Sequence, residues 1–253
     1  MATKVIDVSR WNGAIDFKKV KASGVTGVII KAGVTGYGAG HSMERDANFE
    51  TNYKNAKAAG LNVGAYYYSG AMTEDFAVKE ANYFLSLLKG KEFDLPVYMD
   101  VEESHSPTNM PSLGKTKLTA IVYKWCETVE KAGYFTGFYT MKSWCNTNLD
   151  MEKLARFTFW LAHYTTKTTY TGTYAMWQYS STGKVNGING NVDMNWCYVD
   201  FPAQIKAAGL NGYKKDSEKR YKIEVYGATA QTMPLAVEAL KRAGFTAKVT
   251  EIK

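Results

Sequence analysis

The chain has 253 residues, of which 45% are hydrophobic and 22% are charged, so it can bury one α/β domain of barrel size, alone or beside a small second domain. Its net charge of +7 comes without an arginine-rich run or an interleaved basic and aromatic stripe, which argues against a nucleic-acid-binding protein. The sequence contains no run of about 18 apolar residues, so no membrane span is expected.

The cysteines and the amino terminus indicate synthesis in the reducing cytoplasm. The odd count of Cys126, Cys145 and Cys197 argues against a disulfide framework, and their spacing fits no metal site. The first residues run directly into a strand pattern without a signal peptide. We therefore expect free thiols, no cofactor, and a route other than signal-peptide secretion if the substrate lies outside the cell.

Alternating strands and helices are predicted at the start of the chain, because apolar runs with period two are separated by amphipathic runs that end at glycine. The predicted strands cover residues 4–9, 27–32, 61–69, 95–101 and 134–140. The predicted helices cover residues 17–22, 45–59, 73–88, 115–132 and 142–156, the last with a break near 146–148. The glycine-rich segment 33–40 is predicted to be an active-site loop. This alternation predicts parallel βα units.

After residue 156 the alternation of strands and helices ends. Three more strands are predicted at residues 157–164, 174–179 and 190–196, joined by Thr-, Gly- and Ser-rich links too short for full helices, and a closing helix follows at 201–208. Eight strands with five helical connections predict an α/β fold, an irregular TIM-like barrel that is regular on one side and lacks long helices on the other.

The end of the chain is predicted to be a separate unit. The barrel domain is assigned to residues 1–210, a polar linker to 211–219, and a small βαβ module to 220–253. A module of about 35 residues is small for independent stability. The basic excess of the chain is concentrated in this region, which could contact an anionic polymer or present a solvated helix face.

The most informative stretch is Leu95–Glu103, with the sequence LPVYMDVEE, a buried strand that ends in acids. Because side chains two apart share one face of a strand, Asp100 and Glu102 point the same way. The aliphatic residues from Leu95 to Val101 then point toward packing helices. A lone pair of acids at this spacing is more often part of a solvated loop, so its meaning depends on the other strand ends.

Polar and aromatic side chains fall at the carboxyl ends of the predicted strands, which form the active-site face of α/β barrels. They are Asp7, Lys31, Tyr66–Tyr68, Asp100, Glu102, Tyr139, Trp160, Tyr164, Trp177, Gln178 and Asp193. Four clustered carboxyl groups with few cations raise the pKa of at least one of them, which keeps one acid protonated at neutral pH. A protonated acid beside a carboxylate is what glycosidic cleavage requires.

Other interpretations of these residues stay open. Asp7 and Asp193 could be turn residues, and the tyrosines could belong to the core. Asp100, Glu102 and Asp193 could instead hold a Ca²⁺ or Mg²⁺ ion. A zinc site and a serine hydrolase are disfavoured, because the histidines lack H-x-x-x-H spacing and no serine lies in a G-x-S-x-G motif.

Eight segments, in order along the chain, resemble a known family. They are Ile6–Asp16, Asp46–Asn52, Ala58–Tyr66, Leu95–Glu102, Gly137–Thr140, Trp160–Tyr164, Trp177–Ser181 and Val185–Asn195. Over residues 4–201 the chain resembles the lysozymes of glycoside hydrolase family 25, which are found in phage endolysins and bacterial autolysins. The resemblance implies a (β/α)5β3 barrel and hydrolysis of the β-1,4 bond between N-acetylmuramic acid and N-acetylglucosamine in bacterial peptidoglycan.

The resemblance also implies roles for the residues at the strand ends. By position, Glu102 matches the catalytic acid, and Asp100 matches the carboxylate that orients or stabilises the N-acetyl group of the substrate. Asp7 and Asp193 match the other two acids of the cleft. The predicted substrate-binding residues are Lys31 and the aromatic residues that fall where such enzymes line the sugar groove, namely Tyr66, Tyr139, Trp160, Tyr164 and Trp177.

Two other functions fit parts of this pattern less well than a muramidase does. A chitinase-like hydrolase would carry the longer acidic run D-x-x-D-x-D-x-E, which this strand lacks. A non-catalytic wall-sugar-binding protein would have no need of both Asp100 and Glu102. For a muramidase we expect action on the cell wall after holin-type export or lysis. The module at 220–253 would bind wall polymer or dimerise, and the oligomeric state stays open.

Overall fold

The computed structural model describes residues 2–36, 42–102, 110–215, 232–234 and 237–238. The chain divides into two compact units, Met1–Asp216 and Ser217–Lys253. The predicted βαβ module lies almost wholly outside the described residues, so its architecture stays a prediction.

The predicted α/β barrel is confirmed. Within the described part of the chain, one sheet contains nine strands: β1 (Thr3–Val8), β2 (Gly27–Thr35), β3 (Met43–Arg45), β4 (Asn62–Tyr68), β5 (Val97–Asp100), β6 (Thr136–Met141), β7 (Thr158–Ala162), β8 (Met176–Gly183) and β9 (Val192–Cys197). The strands follow the order β1-β9-β8-β7-β6-β5-β4-β2, and β1 pairs with β2, so eight of them close into a ring. β9 runs antiparallel to both neighbours, and the other pairs in the ring are parallel.

Residue parity along the strands separates two apolar layers. Val28, Val63 and Met99 face outward and pack in the cluster that the helices cover. The interior cluster contains Val5, Ile29, Tyr98, Trp160 and Met176, together with residues of the closing helix. Strands that are apolar on both faces are typical of a sheet buried on both sides, which explains their continuous apolar runs.

Six α-helices are present in the described residues: α1 (Phe17–Ala22), α2 (Phe49–Ala58), α3 (Glu74–Leu88), α4 (Gly114–Lys131), α5 (Lys142–Thr147) and α6 (Phe201–Ala208). Side-chain caps fix three of their amino ends, where Asp16, Thr73 and Asp200 accept hydrogen bonds from backbone N–H groups. α6 ends at Gly209, whose φ of 67° is favourable for glycine. None of these helices is both long and apolar enough to cross a membrane.

The structure differs from the sequence prediction at several places. The segment expected to be a loop after residue 32 extends β2 to Thr35, and Met43–Arg45 pairs with this extension as β3. α5 ends at Thr147, at the predicted break, and the chain continues in turns. Leu95 belongs to the interior cluster, because β5 begins only at Val97 and the alternation does not extend back to it.

The start of the predicted linker is part of the barrel unit. Asn211 is fully buried, with 0% exposure. Its side chain forms hydrogen bonds with the backbone of two segments, one between α3 and β5 and the other between α4 and β6. Its Nδ2 donates to Phe93 O at 3.2 Å and to Leu95 O at 2.9 Å, while its Oδ1 accepts from Phe135 N at 2.6 Å. These bonds hold the residues after α6 against the segments that precede β5 and β6. Residue 211 is therefore packed in the barrel unit and is not part of a linker.

Candidate active site

A polar cavity of about 130 Å³ opens at the carboxyl ends of the barrel strands. It is lined by Asp7, Tyr66, Asp100, Glu102, Tyr139, Trp160, Tyr164, Gln178 and Asp193. Strand register explains the convergence, since Asp100 pairs with Tyr139, and Asp7 pairs with Asp193 across β1 and β9. The structure therefore brings together all four predicted acids and four of the predicted aromatic residues.

Asp7 is held by two side-chain amides. Its Oδ2 accepts from Gln178 Nε2 at 2.9 Å and from Asn195 Nδ2 at 2.8 Å. The orientation of both amides is fixed, because Gln178 Oε1 accepts from Tyr139 Oη at 2.8 Å and Asn195 Oδ1 accepts from Trp160 Nε1 at 2.8 Å. Their N–H groups must then point at Asp7.

Gln178 and Asn195 were not predicted as site residues, although both are almost fully buried at the barrel mouth. The signal for Asn195 was its spacing from Asp193, since residues two apart on β9 share a face, as Asp100 and Glu102 do. Gln178 falls at a predicted strand end, but a neutral amide at that place did not by itself indicate a role in the site. Its contact with Asp7 joins residues 171 positions apart, which only the closed barrel brings together.

Asp7 and Asp193 form an acid pair. They share a hydrogen bond, and burial followed by the charge of Asp193 raises the pKa of Asp7 well above its usual value. The two amides oppose this shift by favouring the ionised form. Burial also raises the pKa of Asp193, to about 6, while its hydrogen bond with Asp7 limits the increase. The pair thus retains a proton more readily than two exposed aspartates would.

Asp100 ends β5 on the interior side and is buried. Burial, and next the charge of Glu102, raises its pKa well above the usual value, while Lys31 opposes the shift. Among the described residues, no group hydrogen-bonds to Asp100 Oδ1. A buried oxygen without a partner is costly, and a donor on a bound ligand would remove that cost.

Glu102 lies two residues beyond Asp100 and faces the same cavity, as the strand parity predicted. Burial raises its pKa to about 7; Lys31 lowers it and Asp193 adds to the increase. A carboxyl group with this pKa is protonated in a large fraction of molecules at neutral pH, and it can both donate and accept a proton.

The aromatic side chains form the walls of the cavity. Trp160 contacts Tyr66, Tyr98 and Tyr139, with ring centroids 6.2, 5.2 and 4.7 Å away. Tyr164 stands at the rim, 57% exposed, and its hydroxyl donates to Gln178 Oε1 at 2.9 Å. Buried rings exclude water from the acids, which is the origin of the raised pKa values.

Lys31 is close to the acids without lining the cavity itself. Its Nζ lies 4.6 Å from the centroid of the Tyr68 ring and 5.7 Å from that of Tyr66. Burial lowers its pKa, and the charges of Asp100, Asp46 and Glu102 oppose that shift. Its predicted role in substrate binding stays a prediction, and its evident effect is to reduce the negative potential at the site.

Trp177 is not brought into the cavity of acids. On β8 the interior positions are Met176 and Gln178, so Trp177 between them faces outward and packs in the outer cluster. Its Nε1 donates to His163 O at 2.9 Å, and its ring borders a separate depression with Tyr179 and Trp196. Trp177 is the second residue of β8, and the sequence could not determine which face of the strand its side chain occupies.

A metal centre is not indicated by the acids. In the described ranges of the chain, no group of three or more His, Cys, Asp or Glu side chains has an arrangement that could hold a metal ion. The alternative in which Asp100, Glu102 and Asp193 bind a hard cation therefore has no geometric support.

A closed α/β barrel with paired carboxyl groups and aromatic walls at the carboxyl ends of its strands has the architecture of a glycoside hydrolase. The chain belongs to the glycosyl hydrolases family 25, whose family model matches residues 6–188.

The similarity extends to characterised proteins and solved structures. The chain is 33% identical to Lysozyme M1 of Streptomyces globisporus, over 75% of this chain and 66% of that protein. The autolysin LytC of Streptococcus pneumoniae, solved in complex with a synthetic peptidoglycan ligand, has a TM-score of 0.70 at 29% identity, over 78% of this chain and 47% of that one. A bacterial lysozyme from Streptomyces coelicolor has a TM-score of 0.65 at 27% identity, and the match covers 86% of this chain and 99% of that one. The chain thus spans less than two thirds of the length of Lysozyme M1 and about half of LytC.

Proposed function

We propose that this protein is a peptidoglycan hydrolase, an N-acetylmuramidase that cleaves the β-1,4 bond between N-acetylmuramic acid and N-acetylglucosamine. The observation that carries the proposal is the placement of Asp100 and Glu102 side by side in a buried cavity, where the pKa of Glu102 is raised to about 7. The support for peptidoglycan as the substrate is the similarity to Lysozyme M1 and to LytC with its peptidoglycan ligand.

In the first step of the proposed mechanism, protonated Glu102 donates its proton to the glycosidic oxygen as the C–O bond breaks. The developing positive charge on the sugar is stabilised by the acidic cavity. Asp100, whose Oδ1 has no partner in the described structure, accepts a hydrogen bond from the acetamido N–H of the substrate. The acetamido oxygen attacks the anomeric carbon, or the cation is stabilised directly. Glu102, now ionised, then removes a proton from the water that completes hydrolysis.

The other acids keep the cavity negative and well ordered. Asp7 is fixed by Gln178 and Asn195 and faces Asp193, whose charge disfavours the ionisation of Asp7. The ring of Tyr164 at the rim of the cavity is 57% exposed and is suited to stacking on a sugar.

Replacement of Glu102 by Gln tests the proposal. We expect Glu102→Gln to lower the rate of wall lysis by at least about 100-fold, because the amide cannot donate the proton that the leaving oxygen needs. The exposed residue Glu152 provides a matched control, since Glu152→Gln makes the same chemical change away from the cavity. Turbidity loss of purified walls measures the rate, and thermal unfolding verifies that both variants fold.

The products identify the bond that is cut. Mass spectrometry of borohydride-reduced digestion products should show reduced muramic acid at the new ends. Reduced glucosamine ends would indicate a glucosaminidase, and cleavage of chitin but not of walls would favour the chitinase-like alternative. Binding of walls without any product would favour a sugar-binding protein, and normal lysis by Glu102→Gln would refute the role of Glu102.

Action on the cell wall follows from this proposal, but the route to the wall stays a prediction. The basic region at residues 220–253 is proposed to contact anionic wall polymer, on the support of its charge alone. Dimerisation through the same region is the other prediction that stays open.

A further inference from the structure

A buried acid that the proposed reaction does not use lies on α3. Glu80 has 0% exposure and belongs to the buried stripe of this helix, with Ala77, Ala81 and Phe84. It does not line the cavity of the four acids. A carboxyl group in an apolar stripe is costly unless its oxygens are fully hydrogen-bonded, so its partners indicate why it is there.

Three donors converge on the Glu80 carboxylate. Thr35 Oγ1 at 2.5 Å and Gly70 N at 2.8 Å donate to Oε1, and Ser69 Oγ at 2.5 Å donates to Oε2. Thr35 is the last residue of β2, and Ser69 and Gly70 follow β4 directly. The carboxylate therefore ties α3 to the carboxyl ends of two neighbouring barrel strands through bonds that its charge strengthens.

These strand ends adjoin the proposed catalytic residues. Ser69 N donates to Asp100 O at 3.0 Å, and Tyr68 is the register partner of Asp100. Lys31, whose charge affects the pKa of both Asp100 and Glu102, rests on the ring of Tyr68. Movement of the β4 end would thus displace the backbone of Asp100 and the cation near it.

We propose that Glu80 is a positioning residue, whose carboxylate holds the ends of β2 and β4, and through Ser69 the end of β5, in the geometry that Asp100 and Glu102 require. This inference rests on the proposed function, because it assigns Glu80 to the same reaction. We name Glu80, Thr35 and Ser69 together the strand-end clamp.

A carboxyl group suits the clamp better than an amide of the same shape. When it is ionised it accepts all three hydrogen bonds, and when it is protonated its single O–H can donate to Ser69 Oγ while the other oxygen accepts from Thr35 and Gly70. A glutamine at position 80 would supply one acceptor oxygen, and its N–H would have to donate to Ser69 Oγ, which already accepts from Ala71 N at 3.2 Å. Burial raises the pKa of Glu80 to about 7, while its three donors favour the charged form. The titratable group that contacts the clamp is Tyr67 on β4, whose hydroxyl lies 3.1 Å from Thr35 Oγ1, and Tyr83 on α3 and Glu44 on β3 lie near Tyr67.

The kinetic test uses Glu80→Gln in the full chain. We expect kcat for cleavage of soluble peptidoglycan fragments to fall between about 10- and 100-fold with KM nearly unchanged, since small misplacements of catalytic groups have effects of this size. Thr35→Val should lower kcat in the same way, and Thr35→Ser, which keeps the hydroxyl donor, should restore most of it. Asp75→Asn, an exposed change on the same helix, serves as the control.

The stability test needs no substrate. Because the pKa of Glu80 in the folded chain is above its ordinary value of 4.5, the wild type is most stable while Glu80 is protonated and loses stability as pH rises through about 7. Glu80→Gln cannot ionise. Its Tm relative to the wild type should therefore increase between pH 4.5 and 8, although its kcat is reduced at every pH.

If Glu80 had a merely structural role, Glu80→Gln would have a lower Tm, but its folded fraction would have a normal kcat. Normal kcat for folded Glu80→Gln would therefore overturn the proposal, whatever the pH dependence of its Tm. Absence of muramidase products from the wild type in the same assay would instead refute the proposed function, and the thermal measurement would still decide whether Glu80 ionises in the fold.

Discussion

At the scale of single residues, the four acids of the cavity are distinguished by their partners. Asp7 has two amide donors, Asp100 has an oxygen without a partner among the described residues, and Glu102 lies beside Asp100 at the mouth. Burial is the largest contribution to the raised pKa of each. One kind of side chain is therefore assigned different roles by its surroundings.

The amide of Gln178 should be required for activity. We expect Gln178→Ala to lower kcat by about 10-fold or more and the free energy of unfolding by about 1–3 kcal/mol, because Asp7 and the Tyr139 hydroxyl each lose a buried partner. Gln204→Ala on the exposed side of α6 is the matched control. Denaturant unfolding and kcat on soluble fragments measure the two effects; a variant with wild-type values for both would show that the network is dispensable.

The pH dependence of activity should follow Glu102. Its proton is needed for the first step, so kcat/KM should fall as pH rises through about 7. Stability should change in the same direction: Glu102 and Asp193 have folded-state pKa values above their ordinary ones, so their contribution is complete at low pH and is lost as pH rises through about 6 to 7. Rate and Tm profiles from pH 4.5 to 9 measure both, and a rate that keeps rising above pH 8 would exclude Glu102 as the acid.

At the scale of secondary-structure elements, side chains close in sequence determine where several helices begin. Asp16 and Thr73, which immediately precede α1 and α3, both accept a hydrogen bond from the first turn of their helices. β3 was not predicted, because a strand of three residues has too few positions to show alternation. The acid on α3 was also overlooked, although Glu80 within an apolar stripe was a visible signal.

The cap of α3 can be tested separately from the chemistry. Thr73→Ala should lower the free energy of unfolding by about 1 kcal/mol, because Phe76 N loses the Thr73 Oγ1 acceptor. For a chain of this size that corresponds to a decrease in Tm of about 2–4 °C. Thr73→Ser keeps the acceptor and should have nearly the wild-type Tm. Loss of kcat in the folded alanine variant would mean that the start of α3 matters for the site as well.

At the scale of the whole molecule, closure of the sheet creates the site. Asp7 near the start of the chain meets Gln178 and Asn195, which are 171 and 188 positions away. These contacts exist because β9 inserts antiparallel between β1 and β8 and completes the ring. A barrel open at this seam would lose the Asp7 network while it retained Asp100 at the end of β5 and Glu102 just after it.

The sequence by itself determined the alternation of elements, the caps, and the common face of Asp100 and Glu102, because these depend on neighbours a few positions away. The tertiary structure decided that Gln178 and not Trp177 faces the acids, since adjacent residues on a strand point to opposite sides and only ring closure fixes which side is interior. It also decided the raised pKa values. Burial and long-range hydrogen bonds arise from the packed barrel, and neither is a property of a local segment.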